Sequence, residues 1–300
     1  MKILNFGSMN RDDVYTVDHF VQPGETLSAA ALTVKAGGKG LNQSVALRRA
    51  GADVWHAGCV GAGGDMLVKL LQASGVHTEL VRSVPVSQGN AVIQVNEQGE
   101  NCILLFGGSN QCITEEQISE TLHAFSAGDW MLLQNEVNLV PQMVEKAAAK
   151  GLRIALNPSP FDGKLADVPI DALSWLIMNE IEAAQMTDEK EPEEAWKVLH
   201  ARYPRLSVLI TLGALGSQAW QVTGETVESH FQHACTVKAV DTTGAGDTYT
   251  GYFLAGLMED MPLSQCMERA SRAAAIAVTR IGAADSIPWS SELEAGGEDR

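Results

Sequence analysis

Val240-Asp241-Thr242-Thr243-Gly244-Ala245-Gly246-Asp247-Thr248, running straight into the apolar segment Tyr249 to Leu257, decides how this chain is read. A Gly-x-Gly turn that opens a helix aims several unpaired backbone N–H groups, and the positive end of the helix dipole, at one point. Such a point suits an anion. Asp247 falls in the first turn, where local propensity alone would make a carboxylate a helix cap. Two features argue for more: the glycines leave room for a ligand to approach, and a second carboxylate, Asp241, precedes the turn. A carboxylate beside an anion hole is suited to phosphoryl transfer, where it aligns and deprotonates an attacking hydroxyl while the N–H groups take up charge. With an ordinary Asp pKa of ~3.9, alignment is its main task and proton transfer comes late.

Outward from this stretch, short apolar segments recur at Lys2 to Phe6, Val54 to Val60, Trp130 to Leu133, Arg153 to Leu156, Trp175 to Met178 and Val208 to Thr211. Each reads as a buried strand. From about residue 109 the intervals carry helical patterns, such as Val140, Met143, Val144 and Ala147 at i, i+3, i+4, i+7. Alternation of strand and helix predicts a mostly parallel sheet covered on both faces. The early chain differs: Val14 to Val17, Ala30 to Lys35, Ala91 to Val95 and Cys102 to Leu105 are strand-like and mostly bounded by turn residues. They predict a small sheet projecting from the body, which must cover a substrate or a second subunit because it is poorly buried alone.

A second glycine-rich stretch, Gly37-Gly38-Lys39-Gly40-Leu41-Asn42-Gln43, enters a helix reaching about Ala50. By itself it is a flexible connection. No G-x-x-x-x-G-K-[ST] occurs, and neither Gly61-Ala62-Gly63-Gly64 nor Gly244-Ala245-Gly246 completes a dinucleotide fingerprint.

The chain has 300 residues, with 21 Lys and Arg against 37 Asp and Glu for a net charge of −16. That balance, without a basic block, argues against nucleic acid or an anionic membrane as a partner. No signal peptide or membrane-length apolar run is present, so a cytoplasmic location is expected. Five cysteines, at 59, 102, 112, 235 and 266, lack any C-x-x-C spacing and read as reduced thiols. Seven histidines show no metal-ligand spacing. The polar tail Ser291 to Arg300 is expected to fray.

Taken together and in order, Gly7-Ser8-Met9-Asn10, Pro23-Gly24-Glu25-Thr26, Gly37 to Asn42, Gln134-Asn135-Glu136, Asn157-Pro158-Ser159-Pro160, Asn179-Glu180-Ile181-Glu182, Thr211-Leu212-Gly213, Asp241 to Asp247 and Ser286-Ile287-Pro288 resemble the ribokinase-like, PfkB-type carbohydrate kinases. The likeness spans essentially the whole chain. It implies one α/β kinase domain over 1–300, a three-layer α/β/α sandwich with a mostly parallel sheet and a β lid drawn from within about 12–36 and 88–107. The implied reaction is ATP-dependent phosphorylation of a pentose primary hydroxyl, D-ribose first. Another small sugar, a sugar acid or a nucleoside is the alternative, and a catalytically silent sugar binder a further one.

Position by position, the resemblance implies Asp247 as catalytic base, with Gly244, Ala245 and Gly246 as anion hole. Asn10, Asp12, Gly38, Lys39, Gly40, Asn42 and Glu136 would line the sugar pocket. Asn179, Thr211, Gly213, Gly216 and Gly246 would serve the nucleotide. Glu182 would hold Mg2+ through water, and Asp241, Thr243, Ala277, Arg280, Gly282 and Ser286 would cage K+. A homodimer through the lid sheets is also expected. One departure bears on substrate: Arg11 stands where the family has a small residue. Turned inward it would favour an acidic substrate; turned outward it is a solvated charge.

Overall fold

The computed structural model describes residues 1–295. Six strands, β1 (Ile3–Phe6), β4 (Val54–Ala62), β8 (Trp130–Gln134), β9 (Arg153–Asn157), β10 (Trp175–Asn179) and β11 (Ser207–Thr211), form the parallel centre of the main sheet. With β5 (His77–Ser87), β12 (Gly216–Thr223) and β13 (Thr226–His233) they make nine strands in the order β13-β12-β11-β10-β9-β8-β1-β4-β5. Strands β12 and β13 pair antiparallel at one edge, an extension that the alternating pattern did not reveal.

Alternate residues of each central strand serve opposite faces, so the core divides in two. Ile3, Leu132, Trp175, Ile177 and Leu209 pack with α1 (Lys39–Arg49), α2 (Asp65–Ala73), α7 (Ala245–Met258) and α8 (Leu263–Val278). Leu4, Phe6, Met131, Leu133, Leu176 and Ile210 pack with α3 (Glu115–Leu122), α4 (Val140–Ala149), α5 (Glu180–Thr187) and α6 (Pro192–Arg202). The three-layer α/β/α sandwich read from the sequence is the observed architecture.

A separate sheet of four strands, β2 (Asn10–Thr16), β3 (Ala31–Gly37), β6 (Asn90–Val95) and β7 (Asn101–Phe106), runs in the order β3-β2-β6-β7. Its strand β2 starts at Asn10, two residues before the expected lid segment. The outer strand β7 is exposed along its whole length, with Leu104 at 72%.

The expectation of a frayed end is corrected in part. Ser290–Ala295 forms a short helix, α9, and Leu293 joins the core. The remainder of that segment, 296–300, lies outside the described residues.

Candidate active site

Helix α7 is apolar on nearly every side and runs through the core against α1. The two helices touch closely because Gly251 lacks a side chain: a Cβ there would lie 2.4 Å from the Ala46 Cβ and 2.7 Å from the Leu47 nitrogen. One turn earlier on each helix stand Asp247 and the pair Asn42 and Gln43. The crossing therefore brings them together. Asn42 Nδ2 donates to Asp247 Oδ2 at 2.9 Å, and Gln43 Nε2 donates to Oδ1 at 2.8 Å.

That geometry disposes of the helix-cap alternative, since the Asp247 side chain bonds across to α1 and caps nothing. The start of α7 is set by Gly244, whose φ of 74° is left-handed. Of the expected anion-hole donors, Ala245 N–H is engaged by the Thr242 carbonyl at 3.2 Å. The N–H groups of Gly244 and Gly246, and also that of Asp247, make no hydrogen bond among the described residues. Space around Gly246 is open: a Cβ at this position would meet nothing within 4 Å.

These groups border a cavity of about 250 Å³ shared by Lys39, Asn179, Glu182, Thr211, Thr242, Gly244, Gly246 and Asp247. Asn179 and Glu182 also form a capping box: Asn179 Oδ1 accepts from Glu182 N at 2.8 Å, and Glu182 Oε2 accepts from Asn179 N at 3.1 Å. The box uses one oxygen of each and leaves the Asn179 NH2 and the second Glu182 oxygen outside it. Burial pulls the Lys39 ammonium down, but Asp247, Glu136 and Glu182 outweigh burial and hold its pKa above the ordinary value.

A second cavity of about 410 Å³ adjoins the first through Thr211, Thr242 and Gly246. Gly213 and Gly216 line it, with Ala234, Cys235, Val237, Tyr249 and Val278. Gly216 has φ 121°, and a Cβ would strike the Gln232 carbonyl at 2.0 Å. The lining of this cavity is mostly apolar.

On the other side of Asp247 lie the expected sugar residues. Glu136 accepts from Ser8 Oγ at 2.5 Å and from Lys39 N at 3.0 Å, yet burial still raises its pKa. Asp12 makes no side-chain hydrogen bond among the described residues. Burial, with Glu136 and Asp13 adding repulsion against a weaker pull from Lys35, pushes it up to about 7. Asn10 accepts from Asn110 Nδ2 at 2.6 Å. Gly38, with φ 91°, turns the chain into α1. Gly40 departs from its expected role: it is buried beneath this side, its Cβ position 2.3 Å from the Ser8 nitrogen, and packs there as a spacer.

Strand alternation settles Arg11. It shares a face with Asp13, opposite Asn10 and Asp12, and its Nη2 pairs with Asp13 Oδ1 at 2.9 Å. The sequence left both orientations open.

Asp241 accepts from Thr243 N at 2.9 Å and from Gly282 N at 2.9 Å. Burial raises its pKa, but hydrogen bonds from Thr243 and Gly282, with Lys35, outweigh burial and keep it below the usual range. The Ala277 carbonyl accepts from Arg280 N at 3.0 Å, and Ser286 Oγ donates to Ala283 O at 2.8 Å. The loop after α8 thus closes over Asp241. No group of three His, Cys, Asp or Glu able to hold a metal occurs among the described residues.

Gln43, Asn157 and Gln134 stand within the motifs quoted from the sequence but carry no assigned role there, whereas hydrogen bonds link all three to Asp247. Gln43 closes the quoted glycine-rich stretch, and its position one residue after Asn42 was the available signal.

Known proteins share this arrangement of elements. Residues 1–290 match the model of the pfkB family carbohydrate kinases. A ribokinase of Haemophilus influenzae is 33% identical over 296 residues, covering 95% of each chain. Ribokinase from Cryptococcus neoformans, solved in complex with ADP, superposes with a TM-score of 0.85 at 32% identity, covering 98% of this chain and 99% of the other. Arabidopsis thaliana ribokinase complexed with ribose and ATP gives a TM-score of 0.86 at 26% identity, covering 98% and 97%.

Proposed function

Because the chain belongs to the pfkB family of carbohydrate kinases, we propose that it transfers the terminal phosphoryl group of ATP to the primary hydroxyl of a pentose, D-ribose foremost. The observation that carries this reading is the Asp247 carboxylate, held by two side-chain amides beside unpaired N–H groups at an open helix start.

In the proposed reaction the sugar lies between Asp247 and the residues Asn10, Asp12, Gly38, Lys39, Asn42 and Glu136. Asp247 aligns the hydroxyl and takes its proton as the new O–P bond forms. The N–H groups of Gly246 and Asp247, with the helix dipole, stabilise charge on the moving phosphoryl group. The nucleotide base fills the mostly apolar cavity, and Asn179 reaches toward the phosphates. Glu182 keeps one oxygen outside its capping box, a hard donor fitting a hydrated Mg2+, which supplies charge neutralisation on the phosphates when bound. Asp241 and the carbonyl of Thr243, with carbonyls near Ala277, Arg280, Gly282 and Ser286, are the oxygen donors that would hold K+, the Asp241 carboxylate offsetting the positive charge of the nearby Lys35.

Since Arg11 is committed to Asp13, the feature that would have favoured a sugar acid is gone. The small sheet is read as a lid, and the exposed apolar residues Leu32, Ile103, Leu104 and Phe106 as the surface that a second copy covers. No helix among the described residues is long and apolar enough to cross a membrane, which accords with the proposed cytoplasmic location.

The test is ADP release across pentoses, 2-deoxypentoses, hexoses, sugar acids and nucleosides, with the product's phosphate located by phosphorus NMR. The expected result is the highest kcat/KM with ribose and phosphate on its primary oxygen. Preference for a nucleoside or hexose reassigns the substrate, and absence of turnover with every acceptor rejects the kinase.

A further inference from the structure

From Asp247, with Asn157 at the cavity wall, a string of buried side chains runs from α1 through β8 and β1 to β4. Gln43 Nε2 donates to Asp247 Oδ1 and to Asn157 Oδ1, at 2.8 and 3.0 Å. Gln134 Nε2 donates to Gln43 Oε1 at 2.7 Å and to Asn5 Oδ1 at 3.0 Å. Asn5 Nδ2 donates to the Gly40 carbonyl at 2.7 Å and to Ser44 Oγ at 2.8 Å, and Ser44 Oγ lies 2.8 Å from His56 Nδ1. Asn5, Gln43, Ser44, Gln134 and His56 are all 0% exposed.

The string has one consistent polarity. An ionised carboxylate only accepts, so Gln43 must turn its NH2 toward Asp247 and its carbonyl away. That carbonyl then needs a donor, which Gln134 provides. Flipping Gln43 would set oxygen against oxygen at Asp247 and NH2 against NH2 at Gln134. At the far end, Ser44 Oγ accepts a hydrogen bond from Asn5 and so donates its own to His56 Nδ1. This requires a neutral imidazole, and burial pushes His56 down to about 4 against a smaller opposing effect of the Gly7 carbonyl.

Stability alone does not explain the arrangement. The Gln134 Oε1 is buried without a donor, which costs folding free energy. Gly7 must be glycine to clear that same oxygen, 2.4 Å from its Cβ position. What Gln134 does achieve is to fix the direction of Gln43. The cavity also holds a competing attraction: Lys39 carries a positive charge that Asp247 feels, yet the described residues include no ion pair between them.

We infer that Gln134, which does not touch Asp247, is a positioning residue that acts through Gln43 to hold the Asp247 carboxylate open for the acceptor hydroxyl and off Lys39. The inference rests on Asp247 being the base. Without the relay the carboxylate turns to the ammonium and alignment is lost, an error that costs roughly 10²-fold in rate for a displacement of about 1 Å.

Steady-state kinetics of Gln43→Met, Gln134→Met and the double variant test it, with melting temperatures alongside. Each single variant is expected to lose kcat by roughly 10- to 100-fold, with both KM values within about twofold of the parent. The double variant is expected to be no slower than Gln43→Met, because Gln134 acts only through Gln43. Parent-like kcat in Gln134→Met, or multiplied losses in the double variant, overturns the relay. Gln43→Glu keeps the shape and guards against a folding defect in the methionine variants. Only its protonated acid can donate, so its kcat is expected to recover as pH falls, and a kcat that does not recover counts against the relay. Asp247→Asn is run in parallel: dead Asp247→Asn beside parent-like Gln134→Met rejects the relay alone, whereas active Asp247→Asn rejects the base on which it rests.

Discussion

The two sides of the cleft are built on opposite plans. Behind Asp247 every polar group but the Gln134 Oε1, the Asn42 Oδ1 and the His56 Nε2 finds a partner, and the carboxylate is held at both oxygens before any ligand arrives. On the sugar side, Asp12 has no hydrogen-bond partner among the described residues and its carboxyl is pushed up to about 7, while burial likewise raises Glu136. The contrast separates two tasks. The proposed base is preorganised by the protein, so its alignment would cost nothing at the moment of reaction. The proposed sugar pocket is left incomplete at Asp12, where hydroxyl groups of the ligand would supply the hydrogen bonds that this carboxyl lacks.

The largest expected effect comes from removing the preorganised carboxylate. Asp247→Asn should lose turnover by roughly 10³-fold or more, while sugar affinity by calorimetry falls little; near-parent turnover would remove its role. Next comes Gly251→Ala, which meets Ala46 and the Leu47 backbone and so separates α7 from α1. Overpacking of this kind costs about 1–3 kcal/mol, and the displaced Asp247 should lose roughly 10²-fold in kcat. Unchanged kcat would mean that the crossing does not set the base.

Asp12→Asn addresses the incomplete half. Sugar KM should rise by roughly tenfold or more, as for loss of a hydrogen bond to a charged group, with kcat less affected. Stability should move the opposite way. The folded pKa of about 7 lies above the ordinary 3.8, so the carboxyl's contribution is fully present below 3.8 and is lost as pH rises through 7. The asparagine variant should therefore melt higher than the parent at pH 8 by several degrees, on the order of 3–6 °C, and equally at pH 3.5. A variant that melts lower at pH 8 would show that Asp12 is already satisfied in the fold. The smallest effect on chemistry is expected from Leu104→Asp on β7, which should convert a dimer to a monomer by light scattering; a parent that is already monomeric excludes the proposed interface.

Much of this was legible in the sequence because it is local. The six central strands are short apolar runs, and the glycines at 244 and 246 mark the helix start by backbone chemistry alone. What was not legible is set by tertiary contact. Strands β12 and β13 mix polar and apolar residues, with β13 largely exposed at the edge, a weaker signal than a buried run. The direction of Arg11 depended on the register of β2, and Gly40 proved a spacer because Ser8, 32 residues away, packs on it. Gln43 and Gln134 are separated by 91 residues, and no spacing rule links them. In the sequence Asn179 and Glu182 read only as site residues, and the structure adds a capping box between them.

A structure of the protein with the pentose and a non-hydrolysable ATP analogue would decide whether Asp247 faces both reactants. The sugar's primary hydroxyl is expected within about 3 Å of an Asp247 oxygen, terminal phosphate oxygens on the Gly246 and Asp247 amides, and Asn42 and Gln43 still donating to the carboxylate. A hydroxyl bound elsewhere, or a carboxylate swung onto Lys39 with the phosphate distant from those amides, would contradict the assignment of Asp247 as the base.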